Sequence, residues 1–573
     1  MQPHFLVRQF LQPLNNSSDA MRRFLPFLNW PRLTLKRFER EFMAGLTVGL
    51  LALPQSVAYA GLAGMPLVTG IYATLLPTLV GALFSATPRL AVGPTALTCL
   101  LVYGALSGLA EPGSGEWVLL AAWLAVLSGL FQVGLGALRQ GWLMDLVSSP
   151  VLMAFTQAAA LLIITSQLPG LLALNAESLS LPSWHMASAV LGLVSLLFIL
   201  ICKRVRPSVP AVFLLLLATA AATWWWGWDD LGIAVVGPLP GGFPRLGLPG
   251  PLPVQTLLEL VVPALVIALI SFMETAASAR LDSTQSGERW DRDQDLMAQG
   301  AAKLSAALCG AFPTSTSFSR SALNLFAGAQ SGWSNVFCCL VVAVVLAVGL
   351  PVLAWVPTAV LSAIVIASVL GLFKLHPWRV LWRTSRRDLL AAVVTLVVTY
   401  AAAPSMYWGI CAGLVLSLLI FVYRRLNPRV VELGRHSDHS LRDRRQWGLP
   451  PLHPDCLVVR PDCSLDYLIA PAFERRVLEL REGRESLRAV YFFMQGVNLI
   501  DSTGLEVLAR LFEGFRKQDI DIHLVGAKLE VERRMKLIFS RREDIRFHRT
   551  EQDALDSMHT LEAHSGPSAG SKP

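Results

Sequence analysis

The chain has 573 residues, of which 54% are hydrophobic and only 15% are charged, and its formal net charge is +8. A soluble globular domain carries about 25% charged residues, so the composition excludes a chain that faces water along its whole length. The basic excess does not indicate a nucleic-acid partner, because the positive residues lie in short clusters separated by apolar runs.

The N-terminal segment, residues 1–40, is basic and polar. It has no short apolar stretch before a small-residue cleavage site, so we expect no signal peptide. Residues 41–425 are dominated by long apolar runs. Examples of these runs are Trp117–Leu138, Val254–Ala279, Val336–Leu353 and Leu389–Ala403. A helix needs roughly 20 apolar residues to cross a bilayer, so the runs predict about 12 to 14 membrane spans.

The loops between the apolar runs alternate in charge. Lys and Arg lie at residues 22–40, 89, 139, 203–206, 280–292, 374–387 and 424–445, and the loops between these positions are neutral or acidic apart from Arg245. This alternation follows the positive-inside rule and predicts that both termini are cytoplasmic. The number of spans must then be even, and about 14 fits.

Eight cysteines are scattered along the chain, and none stands in a close Cys-x-x-Cys or His-spaced pattern. Zinc sites and disulfide frameworks need such spacing. We therefore expect no metal site and no cofactor, and we interpret the cysteines as small apolar residues.

Two of the spans begin with an irregular, polar lead. The first lead is Pro88–Thr98 and the second is Gly310–Ala322, and each contains proline and hydroxyl residues and continues into a short apolar helix. Irregular backbone at membrane depth survives only where protein or a water-filled cavity satisfies it. The leads fall at about the third and tenth spans, and paired broken segments of this kind indicate a transporter site in an inverted repeat.

The short helices that follow the leads would present their N-termini to each other near the middle of the bilayer. Unpaired N–H groups and two positive dipole ends suit an anion. The alternative interpretation is that both segments are ordinary helices kinked by proline.

Two charged residues, Arg320 and Glu274, fall inside apolar spans. A charge at membrane depth is costly and is a functional hypothesis by default. Arg320 adds positive potential beside the second helix N-terminus, which an anion or a carboxylate would offset. Glu274 is the only acid of the run Ala264–Ser278, and a buried carboxylate favours its neutral form, so it is a candidate proton carrier or sodium ligand. It could also pair with Arg320, or lie near the interface at a helix end.

Gln55 and Tyr59 lie one helical turn apart in the first apolar span and face the same side. Pro54 removes a backbone hydrogen bond in the same turn. From the spacing alone, contact with a substrate and hydrogen bonding between helices are equally good interpretations.

Several segments, in this order, resemble the SulP family of anion transporters, which includes bacterial sulfate, bicarbonate and dicarboxylate carriers and the animal proteins prestin and pendrin. The resemblance covers nearly the whole chain. The segments that carry it are Gly45–Ala60, Tyr72–Pro77, Arg89–Pro94, Met273–Ala276, Gln299–Gly300 and Phe318–Ala322.

The resemblance implies an α-helical polytopic membrane protein with about 14 spans in a seven-plus-seven inverted repeat, in which a core domain moves against a gate domain. It also implies a homodimer in a bacterial inner membrane. The residues it places around the anion are Gln55, Tyr59, Thr95, Ser319 and Arg320. It assigns Glu274 to cation coupling, and a glutamate at this position favours protons over sodium.

Two positions depart from the family pattern. Lys303 stands where Asn is common after the Gln-Gly pair, and Thr95 stands where vertebrate members can carry an aromatic residue. Sulfate, bicarbonate, chloride, nitrate and dicarboxylates all stay open as substrates. Alternatives to proton-coupled symport are an anion channel, an exchanger without cation coupling, a receptor and a nucleobase carrier. An ATP-driven pump is disfavoured because the sequence has no Walker A motif.

Beyond residue 425 the composition becomes that of a soluble protein. We interpret residues 426–454 as a linker, 455–560 as a domain of alternating strands and helices, and 561–573 as a disordered tail. The domain resembles the α/β STAS domain that ends SulP proteins, and it could bind a cytoplasmic protein. Its run Asp501–Gly504 matches the loop that is phosphorylated in stand-alone STAS proteins, with Thr503 at the phosphorylated position. A plain helix cap is the alternative.

Overall fold

The computed structural model describes residues 25–173, 186–205, 211–230, 232–240, 242–287, 289–484, 486–539 and 545–563. Most of the predicted N-terminal segment (1–24) and of the predicted tail (564–573) lies outside the described residues. The chain divides into two compact units, and the boundary falls between Ser417 and Leu418.

The first unit, called the membrane unit here, is almost entirely helical. Its helices in chain order are α1 Leu35–Leu62, α2 Val68–Phe84, α3 Ala96–Leu106, α4 Gly115–Ala137, α5 Ser149–Leu172, α6 Met186–Val205, α7 Ala211–Trp226, α8 Val254–Ser286, α9 Arg292–Leu308, α10 Phe318–Phe326, α11 Trp333–Val344, α12 Leu350–Ala354, α13 Thr358–Val369, α14 His376–Thr384, α15 Arg386–Ala401 and α16 Tyr407–Leu426. Two short strands, β1 Val92–Gly93 and β2 Ser315–Thr316, precede α3 and α10.

Within the described residues, eight helical stretches are long and apolar enough to cross a membrane, and α2, α3 and α7 are shorter apolar helices. The predicted α-helical membrane fold is therefore confirmed. The count of about 14 spans stays a prediction.

Helix α1 runs without interruption through Pro54. The ring removes one N–H donor from the helix, and neighbouring helices can hold a membrane helix through such a gap. Gln55 and Tyr59 therefore stay on one continuous face, as their spacing predicts.

Helices α4 and α9 approach each other closely because glycines meet at their contact. A Cβ atom built on Gly300 would lie 2.6 Å from the carbonyl oxygen of Gly129, too close for any side chain. Small residues allow membrane helices to pack at this distance. Lys303 follows Gly300 by one turn of α9, so the contact brings its side chain to α4.

The second unit, called the C-terminal unit here, is an α/β domain. Its strands are β3 Val430–Arg435, β4 Leu441–Asp443, β5 Cys456–Pro461, β6 Ala489–Phe493, β7 Asp521–Val525 and β8 Ile545–His548. Its helices are α17 Arg444–Trp447, α18 Ala470–Arg481, α19 Ser502–Arg516, α20 Leu529–Phe539 and α21 Glu551–Ala563. The sheet order is β4-β3-β5-β6-β7-β8, with β5 to β8 parallel and β3 and β4 antiparallel.

The side chains of β6 alternate between two cores, as the pleat of a strand requires. Val490 and Phe492 pack with residues of α18, α19 and α20 on one face. Tyr491 packs on the other face with residues that include Met558 of α21. A sheet with helices on both faces is the architecture predicted for residues 455–560.

The sheet begins earlier than the sequence predicts. Strands β3 and β4 lie inside residues 426–454, the expected linker, and β3 pairs with β5 through Val430–Pro461, Val431–Arg460 and Glu432–Val459. At the other end, residues 561–563 of the expected tail belong to α21.

Candidate functional site: two half-helices joined by their leads

The two irregular leads pair with each other. Val92 lies opposite Thr316 and Gly93 opposite Ser315 in an antiparallel ladder, and the N–H of Ser317 donates to the carbonyl of Ala91 at 2.9 Å. The pairing satisfies extended backbone that lipid could not. It also fixes the starts of α3 and α10 relative to each other.

Both half-helices are capped by their own hydroxyl residues. Thr95 precedes α3 and accepts from the N–H of Thr98 at 3.3 Å, and Ser317 precedes α10 and accepts from the N–H of Arg320 at 3.4 Å. The N–H groups of residues 96, 97, 318 and 319 find no hydrogen-bond partner among the described residues. Such groups at helix N-termini bind anions.

Arg320 lies under the junction of the leads and is 1% exposed. Its Nη2 donates to the carbonyl of Pro94 at 2.7 Å, and its buried Nε has no partner in the described part of the chain. Gly93 makes room for the guanidinium: its φ is +152°, and a Cβ built there would lie 3.0 Å from Nη1. Among the described residues no carboxylate pairs with Arg320, so the structure does not support the ion pair that the sequence left open.

Glu274, on α8, reaches the first half-helix instead. Thr95 donates its hydroxyl to Oε2 of Glu274 at 3.0 Å, and the hydroxyl of Ser315 in the second lead lies close to this carboxylate. Glu274 is partly buried. It therefore contacts both leads, and it lies close enough to Arg320 for the two charges to interact.

The second lead is further held by α8 and α9. Thr316 accepts from Thr275 at 2.9 Å and from Gln299 at 2.8 Å, and Ser315 donates to the carbonyl of Ser271 at 3.1 Å. These bonds hold the lead at the helix that carries Glu274.

The first lead is held by residues that the sequence analysis missed. Asn335 donates to the carbonyls of Pro88 and Leu90 at 2.8 and 2.9 Å, and Asn324 donates to that of Arg89 at 2.7 Å. Both asparagines are buried in apolar helices. A polar side chain in an apolar run was the only signal in the sequence that could have found them.

Lys303 is fully buried and belongs to the same region. Its Nζ donates to Oε1 of Gln132 at 2.8 Å, and the amide of Gln132 donates to Ser271 and to the carbonyl of Ala268. Within the described ranges no carboxylate lies within salt-bridge distance of Lys303, and Glu274 is near enough to interact with it electrostatically.

Three further predicted residues differ in their surroundings. Gln55 is 6% exposed, and its amide makes no hydrogen bond to a described residue. Tyr59 is also buried and donates to Ser368 of α13 at 3.0 Å. Ser319 is exposed at the start of α10 and lies 3.4 Å from the hydroxyl of Ser317.

In the C-terminal unit, Asp501 caps α19. Its Oδ1 accepts from the N–H of Gly504 and its Oδ2 from that of Tyr467, both at 2.8 Å. Thr503 lies in the first turn of the helix and is partly exposed.

The two units match two known protein families. Residues 38–395 match the sulfate permease family, and residues 450–554 match the STAS domain. The first match alone covers more than half of the chain. The chain belongs to the sulfate permease family. It is a polytopic membrane transporter of anions and not an enzyme, and the resemblance seen in the sequence is confirmed.

Members of this family from distant organisms align with most of the chain. It is 29% identical over 523 residues to the probable sulfate transporter 4.2 of Arabidopsis thaliana, covering 86% of this chain and 77% of that one. It is 29% identical over 485 residues to a probable sulfate transporter of Mycobacterium tuberculosis, covering 82% and 86%. It is 28% identical over 565 residues to the sodium-independent sulfate anion transporter of Bos taurus, covering 90% and 88%.

Solved structures share the fold. The murine solute carrier 26 family member A9, in an inward-facing state, superposes with a TM-score of 0.83 at 20% identity and covers 97% of this chain and 98% of its own. The transmembrane domain of the cyanobacterial bicarbonate transporter BicA gives 0.57 at 18% identity, covering 68% and 99%. At these identities the likeness shows the fold alone.

Proposed function

We propose that this sulfate permease family member is a secondary active transporter that holds a small inorganic or organic anion between the starts of α3 and α10. The observation that carries the proposal is Arg320, a buried cation without a carboxylate partner among the described residues, beside four N–H groups that lack partners. An anion would satisfy both. Gln55, Tyr59, Thr95 and Ser319 would complete its contacts.

We propose that protons drive the uptake through Glu274. When Glu274 is ionised, Thr95 donates to it and also accepts from the start of α3. A neutral carboxyl can donate in return, which changes both the charge and the hydrogen bonds at the anion site. The proton and the anion would then favour each other, as symport requires.

Transport would proceed by movement of a core domain, which contains the leads, against a gate domain. Tyr59 of α1 donates a hydrogen bond to Ser368 of α13. If α1 belongs to the core domain and α13 to the gate domain, this bond must break when one domain moves against the other.

Uptake of labelled anions into proteoliposomes tests the proposal. Sulfate is the first anion to test because the relatives are named for it, followed by bicarbonate, chloride, nitrate and dicarboxylates. We expect accumulation under an inward proton gradient and none under a sodium gradient. Glu274→Gln should abolish accumulation and keep anion exchange.

Glu259→Gln is the matched control, because Glu259 is an exposed acid on the same helix. It should accumulate substrate as the wild type does. Undiminished accumulation by Glu274→Gln under the same gradient would falsify proton coupling through this residue.

An exchanger without cation coupling is the second candidate, and Lys303 favours it. A buried amine near Glu274, when protonated, could replace the positive charge that a coupling proton or sodium ion would bring. Exchange by the wild type that is independent of both gradients, with a proton or sodium dependence gained in Lys303→Asn, would support this candidate over symport.

We also propose that the chain is a homodimer in a bacterial inner membrane with both termini in the cytoplasm. The basic ends of α6 and α16, Lys203–Arg204 and Arg424–Arg425, support this orientation. Crosslinking in membranes tests the dimer. Labelling of single cysteines added at residues 36 and 475 tests the side of each end, and labelling from outside intact cells would contradict the orientation.

The C-terminal unit would regulate transport through Thr503 or a cytoplasmic protein partner. Phosphate on Thr503 would sit in the first turn of α19, where the helix dipole favours negative charge, beside Asp501, which opposes it. Mass spectrometry of protein isolated from cells tests the modification, and Thr503→Ala should remove the signal. If transport is the same in Thr503→Ala and Thr503→Glu, the residue does not regulate it.

A further inference from the structure

A short basic segment connects α13 to α15, and we call residues 373–387 the basic strap. It contains helix α14 and five permanent cations, Lys374, Arg379, Arg383, Arg386 and Arg387, and it contains no acid. Its function is not explained by the transport site, because its residues are not part of either lead.

The strap begins where a membrane helix ends. The first residue before α13, Pro357, is bridged to Val235, and at the other end of α13 the carbonyl of Ala367 accepts from Lys203 of α6 at 2.7 Å. Lys203 and Arg204 end α6, so a second basic terminus lies beside the start of the strap. Charges of this density stay out of hydrocarbon, which places the strap at the membrane surface.

Helix α14 is amphipathic in a way that suits this surface. At 100° per residue, Leu375, Trp378 and Trp382 lie on one face, and Arg379 and Arg383 lie side by side along its edge. Leu375 and Trp382 are 73% and 66% exposed. Apolar and aromatic side chains flanked by arginines are typical of helices that lie in the interface between lipid tails and headgroups.

A side chain of α5 also holds the strap in place. Gln157 of α5 accepts from Nε1 of Trp378 at 2.8 Å and donates to the carbonyl of Lys374 at 3.0 Å. Gln157 is 6% exposed. This buried amide fixes both ends of the first turn of α14, so the face with Arg379 and Arg383 has a defined orientation.

The arginines on this face lack protein partners in the described part of the chain. Arg379 and Arg383 are exposed, and no carboxylate of a described residue lies within salt-bridge distance of either. The next acid along the sequence is Asp388, beyond the strap. Arg379 and Arg383 are therefore available to a partner outside the protein.

We propose that the basic strap binds the headgroups of anionic phospholipids in the leaflet that it faces, with Arg379 and Arg383 on the phosphates and Trp382 among the upper acyl carbons. Charge complementarity carries the choice of occupant: a segment with no acid in its sequence, and with Arg379 and Arg383 exposed, fits a negative surface. The exposed apolar side chains fit lipid rather than a soluble phosphate ion. This inference does not depend on which anion is transported.

Lipid selectivity of the full-length protein tests the proposal. The protein is placed in phosphatidylcholine bilayers with trace spin-labelled phosphatidylglycerol or phosphatidylcholine, and electron paramagnetic resonance gives the motionally restricted fraction of each. We expect a preference for phosphatidylglycerol that weakens with salt. Arg379→Gln/Arg383→Gln should reduce this preference by about fivefold per arginine at low salt.

Two variants serve as controls. Arg379→Lys/Arg383→Lys keeps the charge and should keep the preference. Arg475→Gln/Arg533→Gln removes two exposed arginines of the C-terminal unit and should also keep it. If the double glutamine variant does not fold, the single variants Arg379→Gln and Arg383→Gln are used instead. Each should lose part of the preference for phosphatidylglycerol.

An unchanged preference in the glutamine variants would overturn the proposal. So would an equal loss in the Arg475→Gln/Arg533→Gln control, because the preference would then reflect net charge alone. A preference that 1 mM inorganic phosphate abolishes at constant ionic strength would assign the arginines to a soluble anion and contradict the lipid site.

Discussion

The membrane unit and the C-terminal unit differ in how they partner the charged side chains that they shield from water. In the membrane unit, Arg320 and Lys303 are 1% and 0% exposed, and neither pairs with a carboxylate among the described residues. In the C-terminal unit, Glu432 accepts from Arg444 at 2.9 Å and from Arg484 at 2.6 Å. A carboxylate whose charge is balanced by two arginines stabilises the fold. A buried cation beside unpaired N–H groups, as at Arg320, can instead bind an anion from solution.

The contrast is not a general property of the membrane unit. Asp295 is buried there as well and is fully satisfied, because it accepts from Ser85, Ala86, Thr87 and Trp290 at 2.6 to 3.3 Å. The same unit can therefore saturate a charge. Arg320, at the junction of the two leads, lacks such a complete set of partners, and its Nε has none among the described residues.

The largest expected effect is on Arg320. Arg320→Ala should weaken anion binding by about 10- to 100-fold, since a hydrogen bond to a charged group contributes about 1.5 to 3 kcal/mol. Titration of the purified protein with anion, followed by thermal shift, measures the change. The variant should still fold, because the Arg320 guanidinium that it loses donates to only one backbone carbonyl, that of Pro94.

Arg204→Ala is the control for Arg320, because it removes an exposed arginine from the same unit. It should bind anion as the wild type does. Equal affinity in Arg320→Ala and the wild type would remove Arg320 from the site.

The converse is expected of Glu432. Glu432→Ala leaves Arg444 and Arg484 without their shared acceptor and should lower the free energy of unfolding of the C-terminal unit by about 1 to 3 kcal/mol. Denaturant unfolding of residues 427–573 measures this. Asp438→Ala removes an exposed pair with Arg442 and should have no resolvable effect. A change in anion affinity in Glu432→Ala would contradict the division between the units.

A smaller effect concerns pH and the stacked histidines of the C-terminal unit. Burial lowers the pKa of His523 from its ordinary 6.5 to about 3, with His548 at 2.8 Å from it and Tyr491 stacked on its ring. The unfolded chain therefore binds a proton that the folded one does not, so stability falls as pH falls from about 6.5 toward 3. Between pH 7 and 5.5 the loss should be about 1 kcal/mol.

His523→Phe keeps a ring against Tyr491 and removes the titrating group. Its free energy of unfolding should depend less on pH over the same range. If the wild type and His523→Phe show the same slope, the histidine does not set the pH dependence.

The sequence predicts the leads well and their pairing poorly. Proline, glycine and hydroxyl residues act locally, so an extended start before α3 and α10 could be expected from residues 88–98 and 310–322. The ladder between Val92 and Thr316 is a contact between distant parts of the chain. The environment of Lys303 is likewise set by Gln132 on another helix.

The missed strands have a different cause. Residues 426–454 were interpreted as a linker, and in this described stretch no long helix separates β3 from β4 or β4 from β5, whereas long helices separate the later strands. Both β3 and β4 pair antiparallel beside the parallel strands β5 to β8. Strands β5 to β7 and helices α18 to α20 lie within residues 455–560, where the sequence predicts alternating strands and helices.

The small ladder between the leads has a consequence for protein engineering. The two residue pairs of the ladder and the guanidinium of Arg320 connect the two leads. Neither lead with its half-helix can therefore be exchanged by itself. A chimera that takes only residues 88–98 from a relative would set a foreign lead against Ser315 and Thr316. Exchange of both leads together, with Gly93 and Arg320 as a set, is the smallest graft that preserves the geometry of the site.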